Sequence, residues 1–205
     1  MKKYYINNLG FTAIELLVSA TILIVIFSFV LANFRAGQYS GELDIITRQV
    51  IDGVSTVRIM TLGGQVTPAG IFPAGGYGVS FDINNRNRFV LFADLGPTPN
   101  GIYDPGEEIP NGIVQFSNVY LIDLCVSSED VVDSLPCQFS DWTNIVSNRL
   151  DIIFPRPGLV TASDGLNPLP VASQFVGGVI KHQKTGRQAY FYVSLFSGLI
   201  TGDEL

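Results

Sequence analysis

The chain has 205 residues and a formal net charge of −6, with 18 acidic and 12 basic side chains. An acidic surface repels nucleic-acid phosphates, which argues against a broad electrostatic interface with DNA or RNA. Twenty-one glycines, eleven prolines and many β-branched and aromatic residues after residue 70 indicate a loop-rich β body, short enough to form one domain.

The N-terminal stretch is an apolar segment behind a basic leader. Lys2 and Lys3 precede Gly10, and an apolar run then extends from Phe11 to about residue 34 with one ionisable side chain, Glu15. About 20 residues at ~1.5 Å rise are enough for a helix to cross the hydrocarbon core of a bilayer. A carboxylate in such a segment costs roughly 2.5–3.5 kcal/mol and usually has a partner. The nearest candidate is a free α-amino group on Phe11, created by cleavage after Gly10.

This stretch resembles the class III signal of type IV prepilins and type II secretion pseudopilins. The residues that carry the resemblance are Gly10, Phe11, Thr12, Glu15, Leu16, Leu17 and Val18. The resemblance implies cleavage after Gly10 by a prepilin peptidase, N-methylation of Phe11 and retention of the apolar helix. It also implies that Glu15 neutralises the Phe11 amine of a neighbouring subunit during filament assembly. Removal of the leader, residues 1–10, would leave 10 basic residues against 18 acidic ones, a net charge of −8.

Two other interpretations compete for the same stretch. A secretory signal peptide has a basic start, a short apolar core and small residues at the cut, and Val30-Leu31-Ala32 could serve as that cut. The apolar run is long for a signal peptide, however, and contains Glu15. A plain membrane anchor without an assembly role is the second alternative, and it leaves the cost of Glu15 unexplained.

An amphipathic helix is predicted beyond the apolar run. Apolar residues recur at three- and four-residue steps and share one helical face: Leu43, Ile46, Val50, Val54, Val57 and Met60. The pattern predicts one helix from about Thr12 to Leu62, with a membrane and assembly part at 11–35 and an amphipathic part at 36–63. Gly63-Gly64 is a C-terminal stop. Gly37, Gly41 and Gly53 weaken the helix, and a break at Ala36-Gly37 would give two separate helices.

Residues 64–205 are predicted to form a β-rich extracytoplasmic domain that opens with a loop at 65–76. Strand patterns occur at Tyr77–Asp82, Arg88–Ala93, Gly112–Val126 with a break near Ser117-Asn118, Leu150–Phe154, Phe175–Lys181, Gln188–Phe196 and Leu199–Thr201. Residues 141–148 could form a turn or two of helix. The predicted fold class is α+β, with an antiparallel sheet or small β-sandwich. The resemblance to pilins implies that this sheet packs against the second half of a long N-terminal helix.

If the basic N-terminus with Lys2 and Lys3 stays in the cytoplasm, the domain lies outside, where disulfides persist. The two cysteines, Cys125 and Cys137, would then suit a disulfide. Such a bridge would contribute ~3 kcal/mol in the chain-entropy description. Two buried free thiols are the alternative, and the spacing fits no metal motif.

An Asp-rich segment occupies residues 92–108. It resembles the loop ending Asn-Gly-x-x-Asp-x-Gly-Glu of the GspH/FimT-like minor pseudopilins and pilins, which suggests that subgroup. Oxygen ligands for calcium could come from Asp94, Asn100, Asp104 and Glu107, because hard cations bind several oxygens on a Gly-containing turn. Against a calcium site, Gly96 stands at a ligand position and Pro97 stiffens the loop. A rigid loop whose carboxylates cap turns or face water is the other interpretation, and no cofactor is otherwise expected.

Few residues suggest catalysis. The single histidine, His182, lies beside the predicted turn Lys184–Arg187, where an exposed, non-functional role is expected. A nucleophile elbow and a phosphate-binding loop are both missing from the sequence, so an enzyme is not expected. Some GspH/FimT-like proteins bind DNA through a basic tail, but here the C-terminus, residues 201–205, is acidic. Lys181, Lys184 and Arg187 form only a small basic patch, so nucleic acid is an unexpected partner.

The sequence therefore predicts a pilin-like filament subunit, most simply a minor one, of a type IV pilus or a type II secretion pseudopilus. Its expected partners are the prepilin peptidase, other pilin or pseudopilin subunits and the inner-membrane assembly platform. The expected location is a single pass in the cytoplasmic membrane, followed by a pilus or pseudopilus after assembly. The alternative function is a membrane-anchored binding module for DNA or a surface ligand that does not polymerise.

Overall fold

The computed structural model describes residues 12–95, 99–128, 137, 142–156, 158–170 and 173–204, without the side chains of 32–40 and 204. The chain divides into two compact units, Met1–Tyr39 and Ser40–Leu205. Helix α1, Ala13–Leu62, contributes to both units, and its described backbone has no break at Ala36-Gly37. The architecture is α+β, as the sequence predicts.

In the first unit the helix is mostly apolar. Its segment Ala13–Leu31 has a mean hydropathy of 2.6 over 19 residues, so it is long and apolar enough to cross a membrane. The large apolar side chains of this segment are exposed in the isolated chain, Phe29 at 71% for example. Such a helix suits either a membrane anchor or a signal sequence.

The helix ends at the predicted glycine pair. Gly64 has a φ of +64°, a left-handed conformation that glycine adopts without steric cost. Its N–H donates to the Thr61 carbonyl at 3.1 Å, and the Gln65 N–H donates to the Met60 carbonyl at 2.9 Å. This pair of bonds is a Schellman motif, which satisfies carbonyls that the last helical turn leaves without partners.

In the residues that the structure describes, the second unit contains ten strands in two sheets. The strands are β1 Gly76–Asp82, β2 Arg88–Asp94, β3 Glu108–Gln115, β4 Val119–Ser127, β5 Trp142–Asn144, β6 Arg149–Phe154, β7 Thr161–Ser163, β8 Phe175–His182, β9 Gln188–Ser194 and β10 Ile200–Glu204. Sheet A has the order β3-β2-β1-β6-β7, and sheet B has the order β10-β9-β8-β4-β5. All the strand pairs are antiparallel. A short 3-10 helix, Ile83–Asn85, lies between β1 and β2.

Two short strands differ from the sequence-based prediction. The predicted helical turn at residues 141–148 is wrong, because Trp142–Asn144 forms β5 and pairs with Cys125–Ser127 of β4. Strand β7 was not predicted; it pairs with Asp151–Ile153 of β6. Three residues carry too little periodicity to predict a strand, so pairing with a longer strand decides both structures.

One core joins the second half of the helix to both sheets. The predicted helical face is buried, with Leu43, Val50, Val54 and Val57 all at 0% exposure. Rings from the two sheets meet beneath it, and the centroids of Phe81 in β1 and Phe191 in β9 lie 4.7 Å apart. The sheets therefore form a small sandwich, and the amphipathic half of α1 completes its core.

Cys125 and Cys137 form a disulfide, as predicted, with 5.4 Å between their Cα atoms. Cys125 is fully buried in β4, and Trp142 of β5 packs in the same small cluster. The bridge therefore ties Cys137, in the connection between β4 and β5, back to β4.

Gly53 lies at a close contact between the helix and sheet A. A Cβ atom at this position would lie 2.6 Å and 2.9 Å from two ring atoms of Phe89, which is itself fully buried. The sequence suggested only that Gly53 weakens the helix. The structure shows that its missing side chain admits the Phe89 ring.

We expect Gly53→Ala to destabilise the domain by about 1–3 kcal/mol, because the added methyl group overpacks a buried ring. Gly41→Ala is the matched control in the same helix, since nothing lies within 4 Å of its added Cβ. There the helix preference of alanine should stabilise the protein by up to ~1 kcal/mol. Unfolding of the detergent-solubilised full chain, followed by fluorescence of the single tryptophan, measures both changes. Equal effects of the two substitutions would contradict the proposed close contact.

Candidate functional site

The start of α1 is capped by a reciprocal pair, Thr12 and Glu15. The Thr12 backbone N–H and side-chain hydroxyl both donate to Oε2 of Glu15 at 2.9 Å. In return, the Glu15 N–H donates to the Thr12 hydroxyl at 3.3 Å. This is a capping box, which satisfies backbone donors that have no partner within the first turn. Glu15 therefore has a partner inside its own chain. The sequence analysis missed this pair, although Thr12-Ala13-Ile14-Glu15 matches the Ser/Thr-x-x-Glu signature of a capping box.

The other predicted processing residues, Gly10 and Phe11, lie outside the described residues. Within Ala13–Leu31 the polar side chains bond back to the helix itself: Thr21 donates to the Val18 carbonyl and Ser28 to the Ile24 carbonyl, both at 2.8 Å. Such bonds satisfy hydroxyl groups where a bilayer offers no water. Glu15 is therefore the one side chain of this segment that brings an ionisable group into it.

The Asp-rich segment uses its carboxylates to hold its own backbone. Asp94 is 1% exposed and accepts a bond from the Gly101 N–H at 3.0 Å. Glu107 accepts bonds from the Leu95 and Asp104 N–H groups, both at 3.1 Å. Burial raises the pKa of Glu107 above its ordinary value, against the lowering effect of these bonds. The carboxylates thus stabilise the loop, as in the second interpretation of the sequence.

The four candidate calcium ligands are engaged with one another and with the loop. The Asn100 amide donates to Asp104 Oδ2 at 3.0 Å, and Asn100 Oδ1 accepts from the Ile102 N–H. In the part of the chain that the structure describes, there is no group of three or more His, Cys, Asp or Glu side chains that could hold a metal ion. Calcium binding here stays a prediction; a calcium-dependent rise in the unfolding midpoint that Asp104→Asn removes would support it.

A buried ion pair beneath this loop was missed by the sequence analysis. Asp151 of β6 is 0% exposed and lies 2.8 Å from the Arg149 guanidinium. It also accepts from the Tyr103 N–H of the loop, and Arg149 donates to the Tyr103 carbonyl. Burial raises the pKa of Asp151, against the lowering effects of bonds from Ser80 and Arg149. An acid inside the apolar strand Leu150–Phe154 was the available signal, because such a residue needs a partner.

His182 is fully buried, so the expectation of an exposed hairpin histidine is wrong. Strand β8 runs through His182, and its Nε2 lies 3.2 Å from Oε2 of Glu42 in α1. Its Nδ1 accepts a bond from the Thr185 N–H, which favours the neutral tautomer with the proton on Nε2. Glu42 also accepts a bond from the Asn118 amide at 3.1 Å. His182 therefore joins the helix to sheet B.

Comparisons with protein-family models, curated proteins and solved structures find no match for this chain. The functional argument therefore depends on the residues and their geometry.

The Glu42 contact generates a prediction about pH. Bonds from His182 and then Asn118 lower the pKa of Glu42 below its ordinary value of 4.5. A lowered carboxyl pKa adds stability above the ordinary value, and this stability is lost as the pH falls through the lowered pKa. We expect Glu42→Gln to reduce the free energy of unfolding above pH 4.5, with a difference from wild type that shrinks in more acidic solution.

Denaturant unfolding over a pH series measures this difference. Asp44→Asn is the control, because Asp44 forms an exposed helical pair with Arg48. Such pairs are worth under about 0.5 kcal/mol, so little change is expected at any pH. A difference between wild type and Glu42→Gln that is independent of pH would contradict the role of the Glu42 charge.

Proposed function

We propose that this chain is a pilin-like structural subunit of a membrane-assembled filament. The observation that carries the proposal is a membrane-length apolar segment with a single carboxylate in its first turn, continuous with a helix that enters an α+β domain. The α+β architecture with an N-terminal apolar helix is compatible with a pilin-like layout and supports the proposal. Within the proposal, the chain is a minor subunit of a type IV pilus or a type II secretion pseudopilus.

In this proposal a prepilin peptidase cuts after Gly10, and the new N-terminus at Phe11 is methylated. The apolar helix first holds the subunit in the inner membrane and later packs against neighbouring subunits in the filament. An inner-membrane assembly platform would extract the subunit, with the domain on the extracytoplasmic side. The disulfide at Cys125 suits that compartment, because disulfides persist where thiols are not kept reduced.

The capping box and an intermolecular role for Glu15 are compatible. Both bonds from Thr12 end on Oε2, and an ionised carboxylate has about four acceptor positions on its two oxygens. Capping orients the Glu15 side chain toward the start of the helix, where a neighbouring N-terminal amine would approach. Neutralising the carboxylate in an apolar packing surface would then favour assembly over isolated subunits.

The capping box also favours a second candidate function. Because Thr12 gives Glu15 a local partner, a plain membrane anchor no longer leaves this carboxylate unexplained. The chain would then be an anchored extracytoplasmic binding module that does not polymerise. The two functions differ in whether Glu15 must carry a charge or must only accept hydrogen bonds.

Glu15→Gln separates these two requirements, because glutamine keeps the acceptor for the Thr12 N–H and loses the charge. If the chain is a filament subunit, we expect incorporation of the Glu15→Gln variant into sheared filaments to fall at least about tenfold. Without the Glu15 charge, the amine of the neighbouring subunit would be left unpaired in an apolar interface. Thr12→Ala is the matched variant: it removes the hydroxyl of the cap, keeps the charge and should assemble normally. Membrane content of each variant, measured by immunoblot, controls for insertion.

Normal incorporation of Glu15→Gln would contradict the filament proposal and favour the anchored module. Intact mass and N-terminal sequencing of the native membrane protein test processing independently. A methylated Phe11 start supports the pilin-like function. A start at Asn33 would indicate a secreted domain, and an uncut Met1 would indicate a plain anchor; both contradict the proposal.

A further inference from the structure

Three turns from different parts of the second unit meet at one end of the domain. They are the β1–β2 turn at 83–87, the β3–β4 turn at 116–118 and the β8–β9 turn at 183–187. Backbone bonds join them: the Phe116 N–H donates to the Asn87 carbonyl at 2.6 Å, and the Gln183 N–H donates to the Asn118 carbonyl at 2.7 Å. The turns therefore form one continuous surface.

This surface lies where the chain passes from the apolar helix into the domain. Asn118 and His182 both contact Glu42, and the second unit begins at Ser40. The far end of the domain is different, because there Thr61, near the end of α1, bonds to Tyr77 at the start of β1. The turn surface is thus the end of the domain that contacts the part of α1 closest in sequence to the predicted membrane span.

Basic side chains gather at this end of an otherwise acidic protein. We call the group Arg86, Lys181, Lys184 and Arg187 the basic end; it holds four of the ten basic residues that follow the predicted leader. Arg86, Lys184 and Arg187 are exposed, and Lys181 is half-buried. The Arg86 guanidinium lies 4.9 Å from the centroid of Tyr120, whose backbone pairs with Lys181 across β4 and β8. The positive charges therefore share one face.

The carboxylates near this face are occupied by structural bonds. Glu42 accepts from Asn118 and contacts His182, as described above. Asp82 accepts from the Asn84 N–H and the Asn85 amide, both at 2.8 Å, and thereby caps the short 3-10 helix. Asp94 is the last residue of β2 and Glu107 directly precedes β3, so both carboxylates lie at the opposite ends of these strands from the basic turns. The basic end thus sets four basic side chains against the two carboxylates Glu42 and Asp82, and Lys184 interacts electrostatically with Glu42.

A groove of about 570 Å³ runs between the turns. Its lining residues are Asn84, Asn85, Arg86, Asn87, Phe116, Asn118, Val119, Tyr120 and Gln183. Five of these are carboxamides, and none is an acid. Carboxamide N–H₂ groups and a guanidinium donate hydrogen bonds to phosphate and hydroxyl oxygens.

We propose that the basic end and this groove bind the phosphate groups of anionic lipids in the membrane that α1 spans. The inference rests on the proposed membrane span. Clustered cations on a membrane-anchored domain attract an anionic leaflet, and the attraction decays within a Debye length of the surface. The turns of the basic end contact α1 at Glu42, eleven residues after the apolar segment ends at Leu31, so this surface lies close in sequence to the proposed span. The contact orients the domain on the membrane before extraction.

The test uses the full chain reconstituted in two kinds of vesicle, phosphatidylcholine alone and phosphatidylcholine with phosphatidylglycerol. Both native cysteines are in a disulfide, so one added cysteine accepts a fluorophore. Ser117→Cys places the probe in the exposed turn of the basic end, and Ala69→Cys places it after the end of α1. Lipids with spin-labelled headgroups quench a probe that lies in the headgroup layer.

We expect several-fold stronger quenching at Ser117→Cys than at Ala69→Cys, only in vesicles with phosphatidylglycerol and only at low salt. Adding Lys184→Gln and Arg187→Gln should lower the quenching to the level in phosphatidylcholine alone. Arg156→Gln, which removes an exposed charge outside the basic end, should leave it unchanged.

Quenching that is equal in both vesicles, or insensitive to the two substitutions, would overturn the lipid contact. Binding of a duplex oligonucleotide by wild type, with no lipid-dependent quenching, would overturn it in favour of a nucleic-acid surface. Resistance of the protein to alkaline extraction from both vesicles is scored separately. If the chain is extracted, the proposed membrane span has failed; if it resists and quenching is absent, only the lipid contact has failed.

Discussion

The domain depends on burial of one helical face against two sheets at once. Neither sheet has enough apolar cover without α1, and the helix cannot bury Val50, Val54 and Val57 without the sheets. Hydrophobic burial is proportional to the apolar area removed from water, so this shared core supplies most of the favourable free energy of folding. The same helix carries the apolar N-terminal segment.

Two polar contacts specify how the parts of this core are arranged. The Glu42–His182 contact joins the helix to β8, and the Arg149–Asp151 pair joins the long β2–β3 loop to sheet A. Buried polar groups are costly unless they are satisfied, so each contact disfavours other packings of the same apolar surfaces. These contacts add specificity to a core that hydrophobic burial alone would leave less well defined.

The proposed filament role and the proposed lipid contact apply to two different states of the subunit. The lipid contact belongs to the subunit in the membrane, and the filament role belongs to the assembled subunit. Under these two proposals, Glu15 would be costly in the membrane and the basic end would lie near the headgroups. On assembly, Glu15 would gain an amine partner and the basic end would leave the lipid surface. The balance between membrane and filament would therefore be set by electrostatic contacts at two places, since apolar packing of the helix is available in both states.

The sequence determined the elements whose signal is local. Apolar periodicity predicted α1 and its buried face, Gly63-Gly64 predicted its end, and alternation predicted most of the longer strands and the break near Ser117-Asn118. Other features were decided only by tertiary structure. Strand β5 exists because β4 pairs with it, and His182 is buried because Glu42 lies 140 residues away in sequence and next to it in space. Glycine is required at position 53 because the ring of Phe89, in β2, packs against it. Periodicity records which face of an element is apolar, whereas the partners of that face depend on long-range packing, which a local pattern does not contain.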